Sequence, residues 1–275
     1  MQADLRIAIL DMYMGEPNQG MRCIFEIIED FGRNNGLEIE TITYDVRNTA
    51  EVADLSFDVY ISTGGPGSPL DSEGSLWEKR YFDLMDKIRQ YNFLNPEHKK
   101  NVFLICHSFQ IYCRYYELAT VNKRKSTSFG VFPVHCTHAG MREPFFEQLS
   151  EVFWIVDSRD YQVVKPDIHK IHERGGAVLC IEKVRPHIPL ERATMAIRFD
   201  DAFFGTQFHP EADPIGMLQY LRTDEKRKHI VEHYGQEKYN FILDTLDDTD
   251  KIILTYNTIL PNFLHHAIRK EQLVY

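Results

Sequence analysis

No apolar stretch in the sequence approaches the roughly 20 residues a membrane helix needs, so a membrane protein is not expected. The opening Met1-Gln2-Ala3-Asp4-Leu5-Arg6 lacks the basic head and apolar body of a signal peptide. Cysteine is scarce: Cys23, Cys106, Cys113, Cys136 and Cys180 are odd in number and widely scattered. That excludes a disulfide framework and points to a reducing cytoplasm. There is also no surplus of basic charge. Lys and Arg number 31 against 41 Asp and Glu, a net charge of −10 and a pI near 5.6. Without that surplus no nucleic-acid backbone partner is expected, because counterion release needs basic side chains. Paired Cys-x-x-Cys spacing is missing as well. His135-x-x-His138 with Cys136, and His169-x-x-His172, therefore read as solvent-facing or hydrogen-bonded histidines, and neither a metal nor a cofactor is expected.

What is present is enough apolar residue for a sizeable core, 43% of the 275 positions, with 26% charged. Short branched runs at residues 5–11, 37–44, 57–62 and 102–106 read as buried strands. Between them, Met21, Ile24, Phe25, Ile28 and Phe31 recur at helical spacing up to Gly36, and Trp77, Tyr81, Leu84, Met85 and Ile88 do the same. A further helix is expected from about residue 107 to 118. Such alternation predicts an α/β fold: a doubly wound, mostly parallel sheet with helices on both faces. From residue 129 the sequence turns strand-rich, at 129–135, 152–156, 177–182, 194–199 and 202–208, which predicts an antiparallel strand extension. Asp213 and Pro214 mark a helix start. Two helices should flank Asp247-Asp248-Thr249-Asp250, with Pro261 interrupting the last. The expected division is 1–222 for the main domain and 223–275 for a helical C-terminal appendage. The apolar residues of that appendage, among them Phe241, Ile242, Ile252, Leu260, Phe263 and Leu264, suit either docking on the main domain or a homodimer or partner surface.

Three places carry chemistry. Cys106 stands where a buried strand gives way to a helix, at the carboxyl edge where doubly wound folds collect ligands. A sharp strand-to-helix turn lifts a nucleophile clear of the sheet, and the helix N-terminus favours thiolate. Taken alone, Cys106 reads as a core residue. In Phe208-His209-Pro210-Glu211, Pro210 biases His209 toward extended backbone, in which His209 and Glu211 share a face. A Cys–His–Glu relay assigns nucleophile, base and orienter of the base. Gly64-Gly65-Pro66-Gly67 closes the third strand and lets backbone N–H groups approach a ligand. With no Lys-Ser/Thr to complete it, the loop is not a phosphate cradle.

In this order the stretches Gly64-Gly65-Pro66-Gly67, Cys106-His107-Ser108-Phe109-Gln110 and Gly205-Thr206-Gln207-Phe208-His209-Pro210-Glu211 resemble the class I, triad-type glutamine amidotransferases. The nearest likeness is to GMP synthase-like amidotransferase domains, and it spans roughly residues 5–222. The resemblance implies a flavodoxin-like class I amidotransferase fold. It further implies that Cys106, His209 and Glu211 are catalytic, that Gly65 and His107 supply the oxyanion hole, and that Gly64, Gly65 and Gln110 bind the substrate glutamine. The chemistry so implied is hydrolysis of the glutamine side-chain amide through a Cys thioester, giving glutamate and ammonia. The segment after Glu211 is too short for an ATP-using synthetase, so a separate synthetase subunit is the expected recipient of the ammonia. One departure stands out. Leu104 and Ser108 occupy positions where the family carries glycine, which keeps open a γ-glutamyl peptide hydrolase or a degenerate, non-catalytic homologue.

Overall fold

The computed structural model describes residues 3–16, 18–248 and 250–272. Met1, Gln2, Pro17, Thr249 and residues 273–275 lie outside the described residues. In chain order the elements are β1 (Leu5–Asp11), α1 (Gln19–Asn35), β2 (Ile39–Asp45), α2 (Val46–Thr49), β3 (Val59–Ser62), α3 (Leu76–Leu94), β4 (Asn101–Ile105) and α4 (His107–Tyr115). They continue with β5 (Thr120–Cys136), β6 (Val152–Val164), α5 (Ile168–Glu173), β7 (Ala177–Glu182), β8 (Thr194–Arg198) and β9 (Phe203–Thr206). The last four are α6 (Pro214–Leu221), α7 (Asp224–Tyr234), α8 (Gln236–Asp247) and α9 (Asp250–Gln272).

One sheet organises the molecule, in the order β2-β1-β3-β4-β9-β8-β7-β5-β6. The first five strands are mutually parallel, and the remainder are joined by antiparallel ladders. This is the expected mixed α/β sheet with one adjustment. The strand run places residues 202–208 with the antiparallel extension, yet β9 pairs parallel with β4 and antiparallel with β8. It is therefore the fifth parallel strand and the seam between the two halves.

Strand alternation sends successive residues to opposite faces. Ile7, Ile9, Ile61, Phe103 and Ile105 meet α1 through Ile24, Ile27, Ile28 and Phe31. Ala8, Leu10, Tyr60, Val102 and Leu104 meet α3 and α4 through Tyr81, Phe82, Met85, Phe109 and Tyr112. The helix ends are capped as their residues dictate. Asn18 accepts from the Met21 N–H at 2.8 Å, and Gly36 closes α1 in the left-handed region at φ 67°. Asp213 accepts from the N–H groups of Ile215 and Gly216, with Pro214 at the first helical position.

Two further differences have physical causes. β5 and β6 run 17 and 13 residues, well beyond the expected segments, because the polar run from Lys123 to Ser128 hides the strand signal. The ladder shifts register there, between Lys123 and Ser128. Pro261 does not interrupt the last helix, since α9 passes straight through it. A proline removes one helical hydrogen bond, but Ile259, Leu260, Phe263, Leu264 and Ala267 are all buried in the cluster shared with α1. That packing on both sides of Pro261 holds α9 against the sheet. The C-terminal apolar residues thus dock on the main body, apart from Phe241, which is 51% exposed. A separate cluster joins Leu218 and Leu221 of α6 to Ile230, Ile242 and Ile252.

Candidate active site

β4 ends at Ile105, and the next residue takes the backbone out of the strand. Cys106 has φ 46° and ψ −94°, a conformation non-glycine residues avoid, at a cost on the order of 1–3 kcal/mol. Two backbone bonds hold it: its N–H donates to Thr206 O at 2.8 Å, and its carbonyl accepts from Gln110 N at 2.9 Å. A buried polar chain braces the helix that follows. The Tyr81 hydroxyl donates to Ser62 Oγ at 3.0 Å, Ser62 and Ser108 share a hydrogen bond of 2.7 Å, and Ser108 donates to Thr63 O at 2.6 Å. Ser108 thereby ties α4 to the strand that carries the glycine loop.

Leu104 does not disturb the turn. Its side chain is fully buried on the sheet face opposite Cys106, among the α3 and α4 residues. Room for it comes from Gly205, its partner on β9. A Cβ on Gly205 would stand 3.2 Å from Leu104 Cβ and 2.7 Å from the Phe109 ring. The space a glycine would leave in β4 is supplied by the neighbouring strand.

His209 and Glu211 reach the same spot from the end of β9. The His209 N–H donates to Val156 O at 3.0 Å, fixing the extended conformation that Pro210 favours. Its Nδ1 lies 2.7 Å from Glu211 Oε1, and the ring and Cys106 both border the Gly64 position. Burial disfavours the imidazolium, but the Glu211 carboxylate, then Cys106, overcome it and push His209 well above its ordinary value. Glu211 is only 1% exposed, and His209 is the partner of its one bonded oxygen.

The other expected site residues gather around this triad. A Cβ on Gly64 would stand 2.8 Å from His209 Cε1 and 3.6 Å from Cys106 Cβ. Gly65 lies against the Met12 backbone, where a Cβ would overlap the carbonyl oxygen and meet its carbon at 3.0 Å. His107 is the first residue of α4, so its N–H has no acceptor within the helix. Its ring is buried with neither nitrogen hydrogen-bonded, and burial pushes it down to about 3, so the side chain is neutral near pH 7. Gln110, one turn on, donates from Nε2 to Tyr161 O at 3.2 Å. Cys106, Gly65, Gln110, His209 and Glu211 line one cavity of about 480 Å³ at the carboxyl ends of the parallel strands.

Several residues beside the sulfur or in the cavity escape sequence reasoning. Gln207 directs Nε2 to the Cys106 sulfur at 3.9 Å and accepts from Val163 N, and its place inside the histidine motif is the available signal. Tyr13 follows β1, and burial, Glu211 and Cys106 all raise its hydroxyl. Arg159 is held by Asp157 at 2.8 and 2.9 Å and reaches Tyr161 O at 3.3 Å. No signal marks it, because Asp157-Ser158-Arg159 reads as ordinary exposed strand or loop. Among the described residues no three His, Cys, Asp or Glu side chains gather as metal ligands, and no helix is long and apolar enough to cross a membrane.

A family model described as glutamine amidotransferase class I matches residues 22–222. The chain belongs to that family. Solved structures share the fold at low identity. A glutamine amidotransferase from Thermotoga maritima is 14% identical over 96% of this chain and 98% of its own, with a TM-score of 0.66. The glutaminase domain of Trypanosoma brucei CTPS, solved with bound acivicin, is 13% identical over 96% and 94%, with a TM-score of 0.58. A putative GMP synthase subunit from Thermoplasma acidophilum is 14% identical over 98% and 96%, with a TM-score of 0.56. No curated protein sequence matches the chain.

Proposed function

We propose that this amidotransferase-family chain is a cysteine-dependent glutaminase that releases glutamate and ammonia, the ammonia passing to a separate synthetase subunit or acceptor. One observation carries the reading: a strained Cys106 shares one cavity with the Gly65 loop and with His209, whose ring is held by the buried Glu211. In this reading the Cys106 thiolate attacks the γ-carbonyl carbon of glutamine. The Gly65 and His107 N–H groups stabilise the oxyanion, since among the described residues neither donates to a backbone carbonyl. The intermediate collapses as the C–N bond breaks, His209 gives its proton to the departing nitrogen, and a γ-glutamyl thioester remains. His209, now neutral, takes a proton from water, which cleaves the thioester to glutamate and restores the thiolate. Glu211 holds the ring in register throughout, and Gly64 and Gln110 shape the substrate end. Residues 1–222 form the amidotransferase domain in this scheme, and 223–275 the helical appendage. Five free cysteines fit a reducing cytoplasm.

The test is incubation with an electrophilic glutamine analogue, followed by intact and peptide mass spectrometry. A single adduct on Cys106, blocked by excess glutamine, is expected. A folded protein that takes up no label, or labels elsewhere, would refute the assignment.

A further inference from the structure

The cavity at Cys106 measures about 480 Å³, and its lining reaches beyond the triad to α6 and α7. Gln110 and the strand segment around Tyr161 line one flank of the sulfur, where the glutamyl part belongs in the reading above. The leaving nitrogen must instead face His209, which protonates it. Past His209 and Glu211 the wall continues through Met217, Tyr220 and Leu221 of α6 to Tyr234 of α7, which stacks on Phe129 at 5.5 Å and 16°. Ammonia, a single nitrogen, has no use for this surface. Apolar and aromatic side chains bordering water are what a carbon-bearing leaving group would cover.

The charges beside this wall narrow the choice. Glu16 and Asp160 line the same cavity. The guanidinium that reaches it, Arg159, is committed to Asp157. Among the described lining residues a carboxylate on the leaving group would therefore meet negative charge and a paired guanidinium, and the nearby Lys226 stands outside the lining, over the Tyr220 ring at 5.2 Å and already facing Glu16 and Glu225. We infer that the site accepts γ-glutamyl amides of aromatic primary amines without a carboxylate, an arylalkylamine in the position that ammonia takes from glutamine. The inference rests on the proposed Cys106 chemistry. The thiolate attacks the γ-carbonyl, the bond to the amine nitrogen breaks, and the His209 proton leaves on the free amine. Water then releases glutamate as before.

The experiment compares kcat/KM for γ-glutamyl phenethylamide, γ-glutamyl ethylamide, γ-glutamyl-phenylalanine and glutamine, each followed by glutamate release. Burial of a phenyl ring against the α6 and α7 wall should place the phenethylamide about ten- to a hundred-fold above the ethylamide. The carboxylated phenylalanine compound should fall below the phenethylamide. Tyr220→Ala and Tyr234→Ala should each bring the phenethylamide-to-ethylamide ratio toward one. Tyr234 is 39% exposed, so its truncation keeps the test available if Tyr220→Ala fails to fold. Equal rates for the two amides beside intact glutamine turnover would overturn this inference and leave the glutaminase reading standing. A phenylalanine compound that outpaces the phenethylamide would also overturn it. Failure of all four substrates, with no adduct at Cys106, would overturn both readings.

Discussion

The adjacent glycines Gly64 and Gly65 are expected to separate function from stability when each is replaced by alanine. At Gly64 the added carbon would stand 2.8 Å from His209 Cε1, whereas its next contact, the Tyr13 hydroxyl, lies at 3.3 Å. Non-bonded carbons settle near 3.5 Å or beyond, so the imidazole must retreat by about 0.7 Å. A misplacement approaching 1 Å at a reacting group costs about a hundred-fold in rate. Gly64→Ala should thus lower kcat/KM for glutamine by about 30- to 100-fold, roughly 2–3 kcal/mol at 1.36 kcal/mol per decade. The stability cost of one crowded methyl is about 1–3 kcal/mol, a modest fall in Tm. Gly65→Ala differs because its new carbon would collide with the Met12 backbone, which cannot rotate away. That variant should lose stability together with activity. The assays are steady-state glutamate release and thermal unfolding on the same preparations. A Gly64→Ala protein within threefold of wild type, with an unchanged Tm, would refute the inferred place of His209.

The turn at Cys106 inverts the usual ranking of small residues. At φ 46° and ψ −94°, Cys106→Gly should unfold at higher temperature than Cys106→Ala, by about 1 kcal/mol, with both inactive; alanine matching or exceeding glycine would count against a strained elbow. Glu211→Gln removes the largest influence that raises His209, so the alkaline limb of the pH–rate profile should move to lower pH while kcat falls by about 10²–10⁴-fold. Stability carries the same sign. A raised histidine contributes stability that is present below its unfolded value near 6.5 and is lost as pH climbs through the folded one, and the variant should lose that dependence. His107 acts oppositely. Held down to about 3, it stays neutral in the fold while the unfolded chain binds a proton below 6.5, so stability is lost as pH falls from about 6.5 toward 3. His107→Phe should flatten that stretch of the unfolding profile by an amount on the order of 5 kcal/mol; superimposable wild-type and variant profiles would refute it.

The parts of the fold written in local periodicity are legible in the sequence. β1, α1, β3, α3 and β4 lie close to where apolar spacing and caps put them, and the turn at Cys106 follows from strand giving way to helix. What depends on distant pairing is hidden. β9 is a short buried run like its antiparallel neighbour β8, and only its pairing with β4 makes it parallel. The polar half of β5 reads as loop until β6 supplies its partner. Pro261 ends a helix by local rule and fails to do so because the sheet grips both flanking turns. Cys106, His209 and Glu211 are visible as residue types at suggestive spacing, yet Arg159 and Tyr13 owe their places entirely to packing. Leu104 looks like an obstacle because the glycine that accommodates it lies on another strand, about a hundred positions away.

The seam strand also sets a timetable. β9 slots between β4 and β8, and it alone brings His209 to Cys106. During synthesis Cys106 emerges first, and roughly a hundred residues, about 5–20 s of elongation, separate it from His209. Through that interval the thiol has no imidazole beside it and no finished cavity. A long-range parallel insertion closes last among such contacts, since its loop-closure entropy is offset only when both neighbouring strands are in place. In the proposed chemistry the nascent chain therefore carries a nucleophile without its base until β9 is seated between β4 and β8.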